Sequence, residues 1–485
     1  MTAPRLAVVG HCTSTTARIL CCDDAARVAR LAWRANGTAG AVEIALTAAS
    51  PYQRGVFDLR DLPAGAEVTY AIAVAADLAS LPPAAALLEA GTRRFRLLPA
   101  ERRPRVALLS CNGIYEFPDA KRRCDMWRRL RSELDAGAID VVVHAGDQVY
   151  ADEVVKRYTR EARTTKDPGA LLARVTAEYR RLYVERFWTV PDVATVLTSY
   201  PNIMTWDDHD IDEGWGSNPN DDKPYRRLFF RAAEQAFSEF QAAIGPPRID
   251  EDSFACGFTQ GDIAFLLLDG RSHRLYSEGR VLGEAQLEAA RRWLDALPAP
   301  TRRVYLVLGI PPIHAKLTTI AAILRWTPIS EPYASDLRDG WMSKGNRGEC
   351  ARLMQLLVDF CRSHPRTDVT ILSGDVHVGN IGKLHHLQTG VMWQVTSSGI
   401  ASPAPEGLGG WLMENVSRPA IDLGAGVRGK LMRITEHGHD LMHRRNFALL
   451  EEADRGLRVR LFGEALPAPR EFLLPSRASR ENPVR

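Results

Sequence analysis

Apolar and polar positions alternate with a period of two through the first hundred residues, in "RLAVVG", "TARILC", "AVEIALTA" and "EVTYAIAVA", with turn-forming "ANGTAG" and "LPAGA" between them. Such alternation marks half-buried antiparallel strands, and it predicts a small all-β sandwich over residues 1–99. From about Arg105 the period changes. Short apolar runs ("RVALLSCN", "IDVVVHAGD", "NIMTWDDHD", "IAFLLLDGRSH", "RVYLVLGIPP", "DVTILSGDVHVG") alternate with amphipathic helical segments such as "DMWRRLRSEL" and "EAQLEAARRWLDAL". This predicts a layered α/β (α+β) unit over residues 100–468. Residues 153–199 read as mostly helical, with Tyr179, Leu182, Tyr183 and Phe187 at core spacing. After His377 the runs become strand-like again, Gly438 reads as the turn of an exposed hairpin, and residues 469–485 read as a frayed tail.

Composition narrows the partners. Lys and Arg number 62 against 59 Asp and Glu, a formal net charge of +3, which makes no case for nucleic acid or a charged membrane surface. The first apolar run breaks at Gly10 and His11 instead of forming the core of a secretory signal, and no stretch is apolar enough to span a bilayer. A cytoplasmic location with reduced cysteines is the expectation.

Four of the apolar runs end in residues that ligate metals: Cys111 in "LLSCNG", Asp147 and Tyr150 in "HAGDQVY", Asp207 to Asp210 in "TWDDHD", and Asp375 with His377 in "LSGDVH". Ligands collect where the strands of an α/β sheet end, so four such ends can converge on one site. The order "SCN", "GDQVY", "DDHD", "GDVH" resembles the calcineurin-like metallophosphoesterases, and more closely their PhoD-like (alkaline phosphatase D) branch. The resemblance implies a double-sheet β-sandwich core flanked by helices. It further implies a phosphoric-ester hydrolase, a phosphodiesterase or phosphomonoesterase, acting on a small-molecule, lipid or nucleotide phosphoester. The N-terminal sandwich is similar to fibronectin type III or immunoglobulin-like domains, with Tyr70 as a tyrosine corner.

Beside that resemblance the residues have their own chemistry. The two oxygens of Asp147 suit a bridge between cations, and Tyr150, one helical turn on, suits a phenolate ligand. A thiolate from Cys111 and a phenolate suit Fe³⁺, the metal the family implies. Asp208 and Asp375 stand where the superfamily has Asn and His, and harder oxygen donors favour Ca²⁺ over Zn²⁺. His377 is the expected nitrogen ligand. A water held between two such cations becomes a hydroxide near neutral pH and attacks phosphorus in line. His209 steadies the phosphoryl group or protonates the leaving oxygen. Asp207, Arg271 and Arg274 are the candidate substrate-binding residues.

Other histidines and serines admit plainer roles. His144 suits support of the site, His314 a loop, and His437, His439 and His443 the exposed hairpin. A serine hydrolase is disfavoured because "GRSHR" lacks the final Gly of a nucleophile elbow. The alternative function is a catalytically silent binding protein or scaffold of the same fold.

Overall fold

In the first hundred residues the alternation closes into two antiparallel four-stranded sheets. One is ordered Leu6–Cys12, Ala17–Asp23, Tyr52–Leu59, Thr47–Ala49; the other is ordered Thr38–Ala45, Val28–Ala35, Glu67–Ala75, Arg93–Arg96. These come from a computed structural model that describes residues 3–137, 139–314, 339–404, 420–436 and 438–477. Inward residues Val9, Ile19, Leu31, Phe57, Val68 and Val74 share a core that continues into Val106, Val143 and Phe265.

Tyr70 is fully buried, but it does not form a tyrosine corner. Its hydroxyl donates to Thr198 O at 2.7 Å, near the end of helix Pro191–Ser199, and not to backbone just upstream as a corner requires. That helix packs on Leu6–Cys12 and on Arg93–Arg96, and its last carbonyls have no partner within the helix. Tyr70 therefore pins the sandwich to the helical layer.

Residues 153–199 are helical as the spacing predicts, over Asp152–Ala162, Pro168–Arg181 and Pro191–Ser199, with a π-helical turn at Leu182–Phe187. Tyr179, Leu182, Tyr183 and Phe187 are all buried in that layer.

Two larger sheets follow. The six-stranded sheet runs Asn202–Thr205, Val141–Ala145, Val106–Leu109, Asn446–Ala453, Gly456–Gly463, Arg470–Pro475. The eight-stranded sheet runs Cys256–Gln260, Ile263–Leu267, Arg303–Leu308, Asp368–Ser373, Gly390–Thr396, Asn380–His386, Val427–Leu431, Ile421–Gly424. Because strand side chains alternate in direction, each inner strand feeds two cores. Val106 and Leu108 enter the core between the sheets with Phe265 and Leu267, while Ala107 and Leu109 face the helical layer. On the far side, Ala264 and Leu266 pack against helices Glu284–Asp295 and Arg347–Ser363. The runs that end in polar residues are parallel neighbours, Val106–Leu109 with Val141–Ala145 and Asn202–Thr205 in one sheet, Arg303–Leu308 with Asp368–Ser373 in the other. Their loops emerge together: Ile400 N donates to Ser110 O at 3.0 Å, joining the two sheets at that edge.

Two expectations fail near the C-terminus. The tail does not fray from Pro469, because Arg470–Pro475 pairs with Gly456–Gly463, buries Leu474, and is followed by Arg477 donating to Cys361 O at 3.0 Å and Thr367 O at 2.9 Å. No hairpin of paired strands surrounds Gly438 among the described residues. A turn closed by Gly438 N to Thr435 O at 3.0 Å stands there instead, and His437 lies outside the described residues.

Candidate metal centre

The ends of these strands carry an unusual backbone. Among the described residues eight non-glycine positions have positive φ, and four of them are Cys111 (56°), Asp147 (57°), Asp375 (68°) and His377 (50°). The left-handed region costs an L-residue about 1–2 kcal/mol, so it persists where surrounding contacts impose it. Here they do. Cys111 N donates to Gly146 O at 3.3 Å and Asn112 N to Asp147 O at 2.9 Å, which ties the first two loops together. The buried Asp210 carboxylate accepts from Asp147 N at 2.9 Å and Asp207 N at 3.0 Å, and from Gln241 Nε2 at 3.2 Å.

Held in this way, Asp147, Asp207 and Asp208 present carboxylate oxygens that all lie within 4.8 Å of one another. Asp147 Oδ1 and Asp207 Oδ2 are buried without a hydrogen-bond donor, and Asp208 Oδ1, also without one, is met by the Arg271 guanidinium, with Nη2 at 3.3 Å. A buried carboxylate oxygen without a donor is expensive unless a cation meets it. Burial, then the Cys111 thiol and the Asp208 carboxylate, holds the Asp147 pKa well above the usual carboxylate range. The space is shaped by missing side chains: a Cβ on Gly309 would sit 2.5 Å from Asp207 Oδ2, and one on Gly146 2.5 Å from Asp207 Cβ.

Cys111 borders the trio, with Sγ 3.2 Å from Asp147 Oδ2 and 3.1 Å from Ser398 Oγ. Burial pushes its thiol up to about 12. Only a positive charge beside the sulfur makes it a thiolate ligand. Asp375 and His377 keep some solvent contact at the open side, although protein surrounds them densely enough to move both pKa values. Burial and the Asp207 and Asp208 carboxylates raise Asp375; burial and His209 lower His377 to about 4, leaving it neutral. Ser398 Oγ accepts from His377 N at 2.8 Å.

Tyr150 lies in a loop, not one helical turn along a helix, since the helix begins only at Asp152. Its hydroxyl is 2.7 Å from Ser402 Oγ and its ring stacks on His209 at 4.3 Å. His209 sets Nδ1 against the Asp152 carboxylate, 3.1 and 3.0 Å from its oxygens. Burial alone would lower this imidazole, but Asp152, then Asp208, override it and raise its pKa well above the ordinary value.

Arg271 is fully buried and committed to carboxylates. Nε donates to Asp207 Oδ1, and Nη1 and Nη2 donate to Asp339 Oδ1 and Oδ2 at 2.9 Å each. Arg274 pairs with Asp339 at 2.9 Å and donates to Ser217 Oγ at 3.2 Å, while its Nε and Nη1 stay unpartnered. His144 is a satisfied core residue, with Nδ1 and Nε2 each 2.8 Å from the side-chain oxygens of Gln148 and Asn202. His314 follows strand Arg303–Leu308 in its loop.

Sequence reasoning missed Asp152, Asp339, Ser398 and Ser402. Only Asp152, in "GDQVYAD" five residues beyond Asp147, carried a local signal; the others arrive from distant loops.

The family model described as PhoD-like phosphatase matches residues 106–421. Alkaline phosphatase D of Bacillus subtilis (strain 168) is 23% identical over 51% of this chain and 42% of its own length. The uncharacterized protein YGR266W of Saccharomyces cerevisiae is 24% identical over 57% of this chain and 51% of its own. The chain thus spans about half the length, or less, of the curated relatives it matches. A solved structure, "Structure of PhoD", shares the fold with a TM-score of 0.63 at 14% identity, covering 98% of this chain and 90% of that one.

Proposed function

Because the chain belongs to the PhoD-like phosphatase family, we propose that it is a metal-dependent hydrolase of phosphoric esters. Its proposed centre is built on Asp147, Asp207 and Asp208, bordered by Cys111, Tyr150, Asp375 and His377. The observation that carries this reading is the set of buried carboxylate oxygens without donors, drawn from two strand ends and lying within 4.8 Å of one another. A scaffold has no use for such a set, since each orphaned oxygen weakens the fold.

The donors fit two kinds of cation. The Cys111 sulfur, the Tyr150 phenol and an Asp147 oxygen suit Fe³⁺, while Asp208, Asp207 and Asp375 with the nitrogen of His377 suit a hard divalent ion such as Ca²⁺. When bound, the metals supply an activated water for in-line attack at phosphorus and neutralise charge on the phosphoryl oxygens. Asp147, with Oδ2 3.2 Å from Cys111 Sγ and an oxygen grouped with those of Asp207 and Asp208, would serve both donor groups. Asp207 joins the ligand set on the strength of its free Oδ2, while its Oδ1 is fixed by Arg271. His209, held protonated by Asp152, donates its proton to the leaving oxygen. Arg271 orients Asp207 and Asp208. Arg274, whose Nε and Nη1 have no hydrogen-bond partner, is the arginine of the two that keeps donors for a phosphoryl oxygen.

The test is hydrolysis of p-nitrophenyl phosphate and bis-p-nitrophenyl phosphate with iron and calcium supplied, alongside Asp147→Asn prepared identically. Chelator-sensitive turnover that disappears with bound metal in the variant is expected. Turnover that survives both chelation and the substitution would overturn the metal-centred reading.

A further inference from the structure

The loop that delivers Cys111 continues into an exposed aromatic side chain that the centre itself does not use. Tyr115 is 38% exposed, and its hydroxyl donates to Arg186 O at 2.8 Å. The guanidinium of Arg186 lies 4.7 Å from the Tyr115 ring centroid, and that of Arg123 lies 5.7 Å from it. Among the described residues no carboxylate lies within 4.0 Å of either guanidinium. Two like charges are therefore gathered around one ring, eased by the π face, which offsets about 0.5–1 kcal/mol for an exposed pair, and by the bond from Arg123 Nε to Phe117 O at 3.0 Å.

This group is joined to the centre through rings. Tyr115 meets Phe187 edge-on at 5.4 Å, Phe187 stacks on Tyr150 at 6.2 Å, and Tyr150 stacks on His209 at 4.3 Å. Arg186 belongs to the π-helical turn Leu182–Phe187, a local irregularity of the kind that helices keep at functional positions. The turn brings Arg186 over Tyr115 while its neighbour Phe187 stays buried.

We propose that Arg123, Tyr115 and Arg186 form an anion clamp at the rim of the centre. It takes a second anionic group on the part of the substrate that leaves. This rests on the hydrolase reading above and narrows it to phosphoesters with a second phosphate or a comparable anion. A guanidinium fork matches phosphate oxygens. A flat aromatic leaving group fits less well, because the guanidinium groups cover the ring face on which it would stack. Tyr115 is a positioning residue, clipping its hydroxyl to the backbone of the residue whose guanidinium lies over it.

The experiment compares α,ω-alkanediol bisphosphates of increasing chain length with the corresponding alkyl monophosphates, on the metal-loaded full chain and on Arg186→Gln and Arg123→Gln. The expected result is a kcat/KM advantage of tenfold or more for bisphosphates above a threshold length, carried in KM. Each variant should lose most of that advantage with alkyl monophosphate kinetics unchanged. A bisphosphate advantage that is absent in the parent chain, or retained in both variants, overturns the clamp. If no phosphoester turns over, the hydrolase reading fails separately, and calorimetric binding of the same bisphosphates still decides the clamp: equal affinity in the parent and both variants overturns it.

Discussion

The His209 imidazole is held by the Asp152 carboxylate, with Nδ1 3.1 and 3.0 Å from the two oxygens. Asp152 is itself fixed, accepting from Glu213 N at 2.7 Å. The pair sets both the tautomer and the charge of the histidine, leaving Nε2 as the nitrogen for the proton-donor role proposed above.

That relationship predicts a pH signature. His209 has a raised pKa, so the acid function proposed for it would be complete below that pKa and lost as pH rises through it. Asp152→Asn removes the largest favourable charge, so the alkaline limb of the kcat profile should move to lower pH, with kcat down about tenfold or more. Steady-state rates from pH 6 to 10 check it. A variant with reduced kcat and an unmoved alkaline limb would mean that Asp152 does not set the histidine's charge.

Asp210 should matter for the fold more than for the chemistry. It accepts from three loop N–H groups, of Asp147, Asp207 and Val149, and from Gln241, and touches no open space. Asp210→Ala orphans these donors in a buried site, each at about 1–3 kcal/mol. Chemical denaturation should show a loss of about 3 kcal/mol or more, and metal binding should weaken with it. Asp210→Asn keeps one acceptor oxygen and should lose less.

The strand ends were legible because a buried strand advertises itself by a continuous apolar run, and polar residues immediately after it have few other reasons to be there. Cys111, Asp147, Asp208 and Asp375 stood out for that reason. Ser398, Ser402 and Asp339 did not, because Cys111, Tyr150 and Arg271, which they meet, lie 287, 252 and 68 residues away and no spacing encodes the approach. Arg271 was recognised as a cation near the centre, yet sequence could not show that Asp207 and Asp339 consume its donors. Tyr70 has the local setting of a corner, and the helix that takes its hydroxyl is over a hundred residues downstream. Alternation located Arg470–Pro475 poorly because Pro469 suggested a break where it only precedes a strand.

Gly309 isolates the shape of the centre from its charge. Its backbone is ordinary, but a methyl group there would meet Asp207 Oδ2 at 2.5 Å, far inside contact distance. Gly309→Ala must displace the carboxylate whose free oxygen faces the centre. Metal affinity and kcat should fall about tenfold or more, since small misplacements of a ligand or catalytic group are costly. The metal-free protein should also lose stability, by about 1–3 kcal/mol, because the displaced carboxylate is ion-paired with buried Arg271. Unaltered metal content and turnover would remove Asp207 from the ligand set.

Acid should weaken the fold through histidines outside the proposed ligand set. His11, set edge-on against Phe258 at 4.5 Å, and His144, between Gln148 and Asn202, are both pulled down to about 4 by burial. The unfolded chain takes up these protons near pH 6.5. Both groups therefore contribute fully at neutral pH and progressively less as pH falls from about 6.5 toward 4. The loss at pH 5 is about 2 kcal/mol per group. Denaturant unfolding of chelator-treated protein at pH 7 and pH 5 reads the difference. His144→Gln, which keeps a polar partner for Asn202 without a titrating ring, should shrink the drop between the two pH values by about that amount. An unchanged drop would mean that His144 is already protonated in the folded chain, with its two nitrogens donating to both side-chain oxygens.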